Sequence, residues 1–229
     1  METKGLLFIP DISGFTQFVN EMEIEHSRLI LQGMLEVLID ANQLGLEISE
    51  VEGDAILFYR FGKAPELHEL YAQVQRMFCD FHRTLKEVDP ASRCQCRPCA
   101  TAIEALSLKV VTHYGEFTSY NVKNFSKLVG KDVIVAHQLL KNDIPEREYW
   151  LVTSSILPAD GPPSFTDWMR WDRGAKRTDN GEIDFHYAPL QPLRTAAEAQ
   201  PMFRPVSGKV PLLRRQDGSA LDQEAPRFH

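Results

Sequence analysis

Two carboxylates and a set of thiols carry most of the chemistry open to this chain. Asp11 stands in LLFIPDISGFTQFV, where an apolar run meets a glycine and then a helix-like pattern. Asp54 stands in EVEGDAILFYRFG, in the turn between two strand-like runs. Neighbouring carboxylates repel and raise each other's pKa, and a hard divalent cation removes that cost. Mg²⁺ is typically held by one or two carboxylates together with substrate phosphates. Gly14 and the backbone amides after Asp11 would line a triphosphate at a helix start. The same residues also suit purely local roles, with Asp11 as a helix N-cap and Gly53-Asp54 as turn chemistry. Spacing alone leaves both open.

The thiols are Cys79, Cys94, Cys96 and Cys99, the last three in a C-x-C-x-x-C segment. Cys79 and His82 are three apart in a predicted helix and share one face. Three thiolates with one of these two would make a tetrahedral Zn²⁺ set. Reduced, structural cysteines fit the same residues. No G-x-x-x-x-G-K-[ST] phosphate loop is present.

The elements that must hold these groups follow from periodicity. The chain has 229 residues, 43% hydrophobic and 25% charged, with a net charge of -7. An acidic chain has no general attraction to nucleic acid or to anionic lipid, so neither is expected as a partner. No apolar run approaches the ~20 residues that span a bilayer. The N-terminal apolar run is too short for a signal peptide, so a cytoplasmic location with reduced cysteines is expected.

Leu6 to Pro10 is a buried-strand pattern ended by Asp11, and Phe15 to Leu44 reads as helix in two pieces stopped at Gly45. Leu46 to Val51 and Ala55 to Phe61 read as a hairpin, and Glu66 to Val88 as a helix. Leu106 to Thr112 starts a strand turning near Gly115, with a partner around Ser119 to Lys127. Asp132 to Asn142 is a helix and Tyr149 to Thr153 a strand. Phe165 to Arg173 and Glu182 to Tyr187 form a closing hairpin around Asn180-Gly181. The order is βαββαβ with additions, hence an α+β, ferredoxin-like fold with helices packed on a mainly antiparallel sheet. One domain over residues 1–190 is expected, with a cysteine-containing insertion at about 90–104 and an irregular tail over 191–229.

FIPDISGFTQFV and EVEGDAILFYRFG resemble the two metal-binding segments of class III nucleotidyl cyclases. LKVVTHYGEF, LVGKDVIVAHQL and YWLVTSS follow in that family's order, and WMRWDRGAKRT with GEIDFHYAPL is similar to its closing hairpin. The resemblance spans about Leu6 to Leu190 and looks like a bacterial branch with a cysteine cluster. It implies Mg²⁺ or Mn²⁺ on Asp11, Asp54 and the Ile12 carbonyl, and nucleotide contacts at Gly14, Phe15, Thr16, Glu50 and Lys127. It also implies a site built across a dimer, from two copies or with a second cyclase-like chain.

The match is one-sided. The base-selecting pair falls on Glu50 and Lys127, a combination that fits neither the adenylyl nor the guanylyl class. The ribose-orienting asparagine falls on Ile134 and the transition-state arginine on Gln138. Such an arginine contributes ~10³–10⁵-fold in phosphoryl transfer, and a neutral amide does not replace it. Three readings follow. The first is a degenerate cyclase-like domain, a pseudoenzyme that binds metal and a nucleoside triphosphate and works in signalling or assembly. The second is an active cyclase, through noncanonical residues or as the metal-bearing half of a heterodimer. The third is a zinc-stapled interaction module.

Overall fold

The computed structural model describes residues 3–87, 102–179 and 181–199. The chain runs β1 (Lys4–Ser13), α1 (Phe15–Glu21), α2 (Ile24–Asp40), β2 (Glu47–Glu52), β3 (Ala55–Phe61) and α3 (Leu67–Glu87). It continues with β4 (Ser107–Glu116), β5 (Thr118–Val122), β6 (Phe125–Val129) and α4 (Lys131–Leu140). It closes with β7 (Tyr149–Thr153), β8 (Asp172–Thr178), β9 (Gly181–Pro189) and α5 (Pro192–Ala199). The main sheet has seven strands in the order β2-β3-β1-β4-β7-β9-β8, and β5-β6 form a separate ribbon. Every pairing in the main sheet is antiparallel except β4 with β7. This is the α+β arrangement that the βαββαβ order implies. Among the described residues no helix is long and apolar enough to cross a membrane.

Strand alternation divides the core into two layers. Leu6, Phe8, Ile56, Phe58, Leu108, Val110, Trp150 and Val152 face the side packed by α2, α3 and α5, with Met34, Leu38, Phe78, Phe81 and Leu193. Leu7, Ile9, Leu57, Tyr59, Val111 and Leu151 face the other side, packed by Val133, Val135, Ala136 and Leu139 of α4. Asp11 and Lys109 belong to this second face by the same period of two. There α4 is the covering helix, and its last residue, Leu140, lies beside Lys109.

Several sequence expectations need correction, each for a physical reason. Asp11 does not end β1, because the strand continues to Ser13 along β4, with Asp11 opposite Lys109 and Ser13 opposite Ser107. On the β3 side the ladder stops after Phe8↔Phe58 and resumes at Asp11↔Ala55 in the same register. Pro10 lies in that gap, where it has no N–H to donate. Helix α2 stops at Asp40 rather than at Gly45. There the buried Gln73 of α3 accepts the Gln43 and Leu44 amides at 2.7 and 3.1 Å and donates to the Ala41 carbonyl at 2.8 Å.

Gly115 makes no turn. Strand β4 stays paired with β1 as far as Lys4↔Glu116. A Cβ on Gly115 would collide with Asp132, so the glycine lets the start of α4 approach the sheet. Asp132 fastens that approach by accepting the Glu116 amide at 2.6 Å and lying 3.3 Å from His113. The partner of Ser119 to Lys127 is internal: the segment folds on itself as β5 and β6. The closing hairpin starts at Asp172, and Phe165 to Trp171 is irregular.

The chain after Leu190 was expected to be irregular, yet α5 occupies its first part. Leu190 and Leu193 are buried against α3, and Arg194 donates to both oxygens of the buried Glu148, at 2.9 Å from Nε and 2.6 Å from Nη2.

Candidate functional site

The β2–β3 turn and the end of β1 bring Asp54 beside Asp11. The Ile12 amide donates to the Asp54 carbonyl at 3.0 Å, and Asp11 pairs with Ala55. Gly14 makes the bend from β1 into α1 with φ +86, and a Cβ there would lie 2.6 Å from the Ala105 carbonyl oxygen. No non-glycine residue satisfies both demands. Phe15 and Thr16 open α1, which has only seven residues and ends without a basic last turn. Its contribution to an anion site through helix dipoles is therefore small.

The electrostatics of this corner are unusual for a surface carboxylate. Asp11 is pushed up from 3.8 to about 6, chiefly by burial; the neighbouring charge of Asp54 adds to the rise and Lys109 opposes it. Asp54 is also raised by burial, against its own backbone hydrogen bond and Lys109. Lys109 Nζ lies 3.5 Å from Asp11 Oδ2, with both side chains largely covered, and donates to the Leu140 carbonyl at 3.3 Å. Tyr149 borders the same charge; burial and Asp11 push its hydroxyl up to about 12. Two hard carboxylates, one on β1 and one in the β2–β3 turn, beside one ammonium carry a net negative charge. That donor set suits a hard divalent cation such as Mg²⁺ or Mn²⁺.

Lys109 went unrecognised as a site residue in the sequence. Its signal was a single cation inside the apolar strand pattern LSLKVVTH. Its meaning depends on the β1–β4 register, which pairs residues far apart in sequence.

The expected base-selecting positions meet each other. Lys127 on β6 forms an ion pair with Glu50 on β2, and His137 Nε2 lies 3.6 Å from the other oxygen of Glu50. Hydrogen bonding to Glu50 raises the Lys127 pKa. Glu50, Glu52 and His137 also gather their ligand atoms within 4.8 Å of one another. On α4, Ile134 is exposed and the Gln138 amide donates to Asp179 at 3.0 Å.

Of the thiol set, Cys79 and His82 lie on α3. Burial pushes the Cys79 thiol up, and His82 Nε2 sits 2.8 Å from Glu148 Oε1. Cys94, Cys96 and Cys99 lie outside the described residues.

The fold is that of class III adenylyl and guanylyl cyclase catalytic domains. The adenylyl cyclase CyaB from P. aeruginosa superposes with a TM-score of 0.55 at 17% identity, over 82% of this chain and 94% of that one. The guanylate cyclase domain of RhGC from Catenaria anguillulae, solved in complex with GTP, gives 0.55 at 14% identity over 82% and 96%. A bacterial light-regulated adenylyl cyclase gives 0.59 at 15% identity, over 87% of this chain and 58% of that one.

By sequence, the chain belongs to the family described as protein of unknown function DUF2652, whose model matches residues 31–149. An uncharacterised protein of Mycobacterium tuberculosis, Rv2561/Rv2562, is 33% identical over 125 residues. That match spans 54% of this chain and 57% of the relative's length.

Proposed function

We propose that this chain is a degenerate nucleotidyl cyclase-like domain that binds a divalent metal and a nucleoside triphosphate and acts in regulation or assembly rather than turnover. The observation carrying this reading is the contrast between two sets of side chains. Asp11 and Asp54 are neighbouring, partly buried carboxylates whose pKa values are raised. Gln138 is tied to Asp179, and Ile134 offers only an aliphatic surface. Asp11 and Asp54 would hold Mg²⁺ or Mn²⁺, which would neutralise phosphate oxygens and draw the triphosphate to the β1–α1 bend. Structural relatives were solved with GTP and with ATPαS, which supports a triphosphate as the ligand class. No described side chain at Gln138 or Ile134 supplies the positive charge that a pentavalent phosphorus needs.

The test is an assay of pure protein with each of the four nucleoside triphosphates and Mn²⁺. Binding without cyclic product is the expected result. Robust cyclic nucleotide formation would overturn the degenerate reading.

A second reading is favoured by the exposed apolar residues Val51 on β2, Val122, Phe125 and Val129 on β5–β6, and Ile134 on α4. Such a surface suits a partner. In this reading the chain is the metal-bearing half of a heterodimer, completed by a cyclase-like chain that has the asparagine and arginine but lacks the aspartates. Mixing with such a chain would then produce activity, and that activity would vanish with Asp54→Asn.

A further inference from the structure

We propose that Lys109 is a built-in cation that occupies the metal corner and makes divalent-metal binding conditional on a phosphate ligand. The inference rests on the metal and triphosphate reading of the same corner.

Three features carry it. Asp11 faces Lys109 across the β1–β4 register, so the backbone itself delivers the ammonium to the carboxylate. The two charges lie 3.5 Å apart with their side chains largely out of water, at 18% and 14% exposure. A second anchor, the Leu140 carbonyl at 3.3 Å, holds the ammonium from the α4 side.

A metal arriving alone gains Asp11 and Asp54 but must break the Asp11–Lys109 pair. It also leaves a covered ammonium facing a dication. Like charges at that range repel strongly outside bulk water. A phosphate chain changes the balance. Its oxygens give Lys109 a new anion and complete the metal's coordination, so the ammonium can leave Asp11 without losing a counter-charge. Metal and phosphate thus bind cooperatively through one side chain, and thermodynamic linkage makes the effect reciprocal. Lys109 swings between Asp11 and phosphate while the Leu140 carbonyl keeps it near the corner.

The experiment measures free Mn²⁺ by electron paramagnetic resonance against intact protein, with and without inorganic tripolyphosphate. In the wild type, Mn²⁺ alone should bind weakly and tripolyphosphate should tighten it. In Lys109→Met, Mn²⁺ alone should bind about tenfold tighter and the tightening by tripolyphosphate should fall about tenfold, within the usual range for coupled sites. Lys109→Arg keeps the cation and should keep the coupling. Equal coupling in wild type and Lys109→Met would overturn the inference while leaving the metal site standing. Failure of both proteins to bind Mn²⁺ under either condition would overturn the metal reading and this inference with it. Binding by Lys109→Met alone would support the built-in cation.

Should Lys109→Met fail to fold, the wild type labelled with ¹³Cε-lysine provides the test. Its Lys109 resonance, assigned through Lys109→Arg, should move with Mg²⁺ and tripolyphosphate together and not with Mg²⁺ alone. A resonance unmoved by both together would also overturn the proposal.

Discussion

At the scale of single residues, Asp11 is a group whose charge the fold tolerates poorly. Burial pushes its carboxyl up from the usual 3.8 to about 6, so folding favours the protonated form. For a raised carboxyl pKa, the stability contribution is full below 3.8 and is lost as pH rises through about 6. Asp11→Asn should therefore raise the melting temperature of metal-free protein at pH 8 and have little effect near pH 4. The full shift corresponds to ~3 kcal/mol at most, and the Asn variant leaves Lys109 unpaired, so a gain of ~1–2 kcal/mol is expected. Thermal melts in chelator at the two pH values check this. Destabilisation at pH 8 would mean that the Lys109 pair outweighs burial. The nearness of the two aspartates was legible in sequence because a glycine follows Asp11 by three residues and another precedes Asp54, and the βαββαβ order makes their strands neighbours. Lys109 was not, because a lysine in a strand has no meaning until the strand opposite it is known.

At the scale of elements, two side-chain links make separable predictions. Lys127 and Glu50 tie the β5–β6 ribbon to β2 at the sheet edge. Glu50→Gln should speed amide hydrogen exchange across Thr118–Val129 while leaving the melting temperature unchanged, because partly exposed pairs add little to global stability. The second link is buried. Burial alone would raise the pKa of Glu148, but hydrogen bonds from His82 and Arg194 outweigh it and hold the carboxyl below its usual range. A lowered carboxyl pKa contributes stability that is present above the unfolded value and lost as pH falls. Arg194→Ala should cost ~2 kcal/mol at pH 7, with His82 still paired to the carboxylate, and the gap to wild type should close under acid. Chemical denaturation at pH 7 and over a series of pH values below 4.5 reads both.

The helices and most strands were readable from apolar spacing. The end of α2 was not, since Gln73, some 30 residues on, supplies its cap. Gly115 misled for a similar reason. Its small size serves Asp132 on a distant helix, whereas local reading equates such a glycine with a turn. Leu190, Leu193 and Arg194 are too few to show a helical period, yet tertiary partners on α3 and at Glu148 fix α5.

At the scale of the molecule, the exposed apolar residues of β2, β5–β6 and α4 lead us to expect self-association or pairing with a related chain. Light scattering at tens of micromolar should give a mass near twice that of one chain, and Phe125→Asp should shift it towards the monomer. A monomer throughout that range would leave heterodimerisation as the use of this surface.

The position of β1 has a consequence for how the chain is made. Strand β1, made before both of its neighbours, becomes an interior strand of the sheet, between β3 and β4. Pairing with β3 becomes available once residue 61 has emerged, but the other edge waits for Ser107 to Glu116. At ~5–20 residues per second, the delay from β3 to β4 lasts on the order of several seconds. During it, Leu7 and Ile9 belong to a strand with one open edge, without α4 above them, which is a template for pairing with another nascent chain. Pro10 sits on the β3-facing ladder and does not blunt the waiting edge. A chain released before residue 107 should therefore be recovered in aggregates, whereas one ending after α4 should stay in solution.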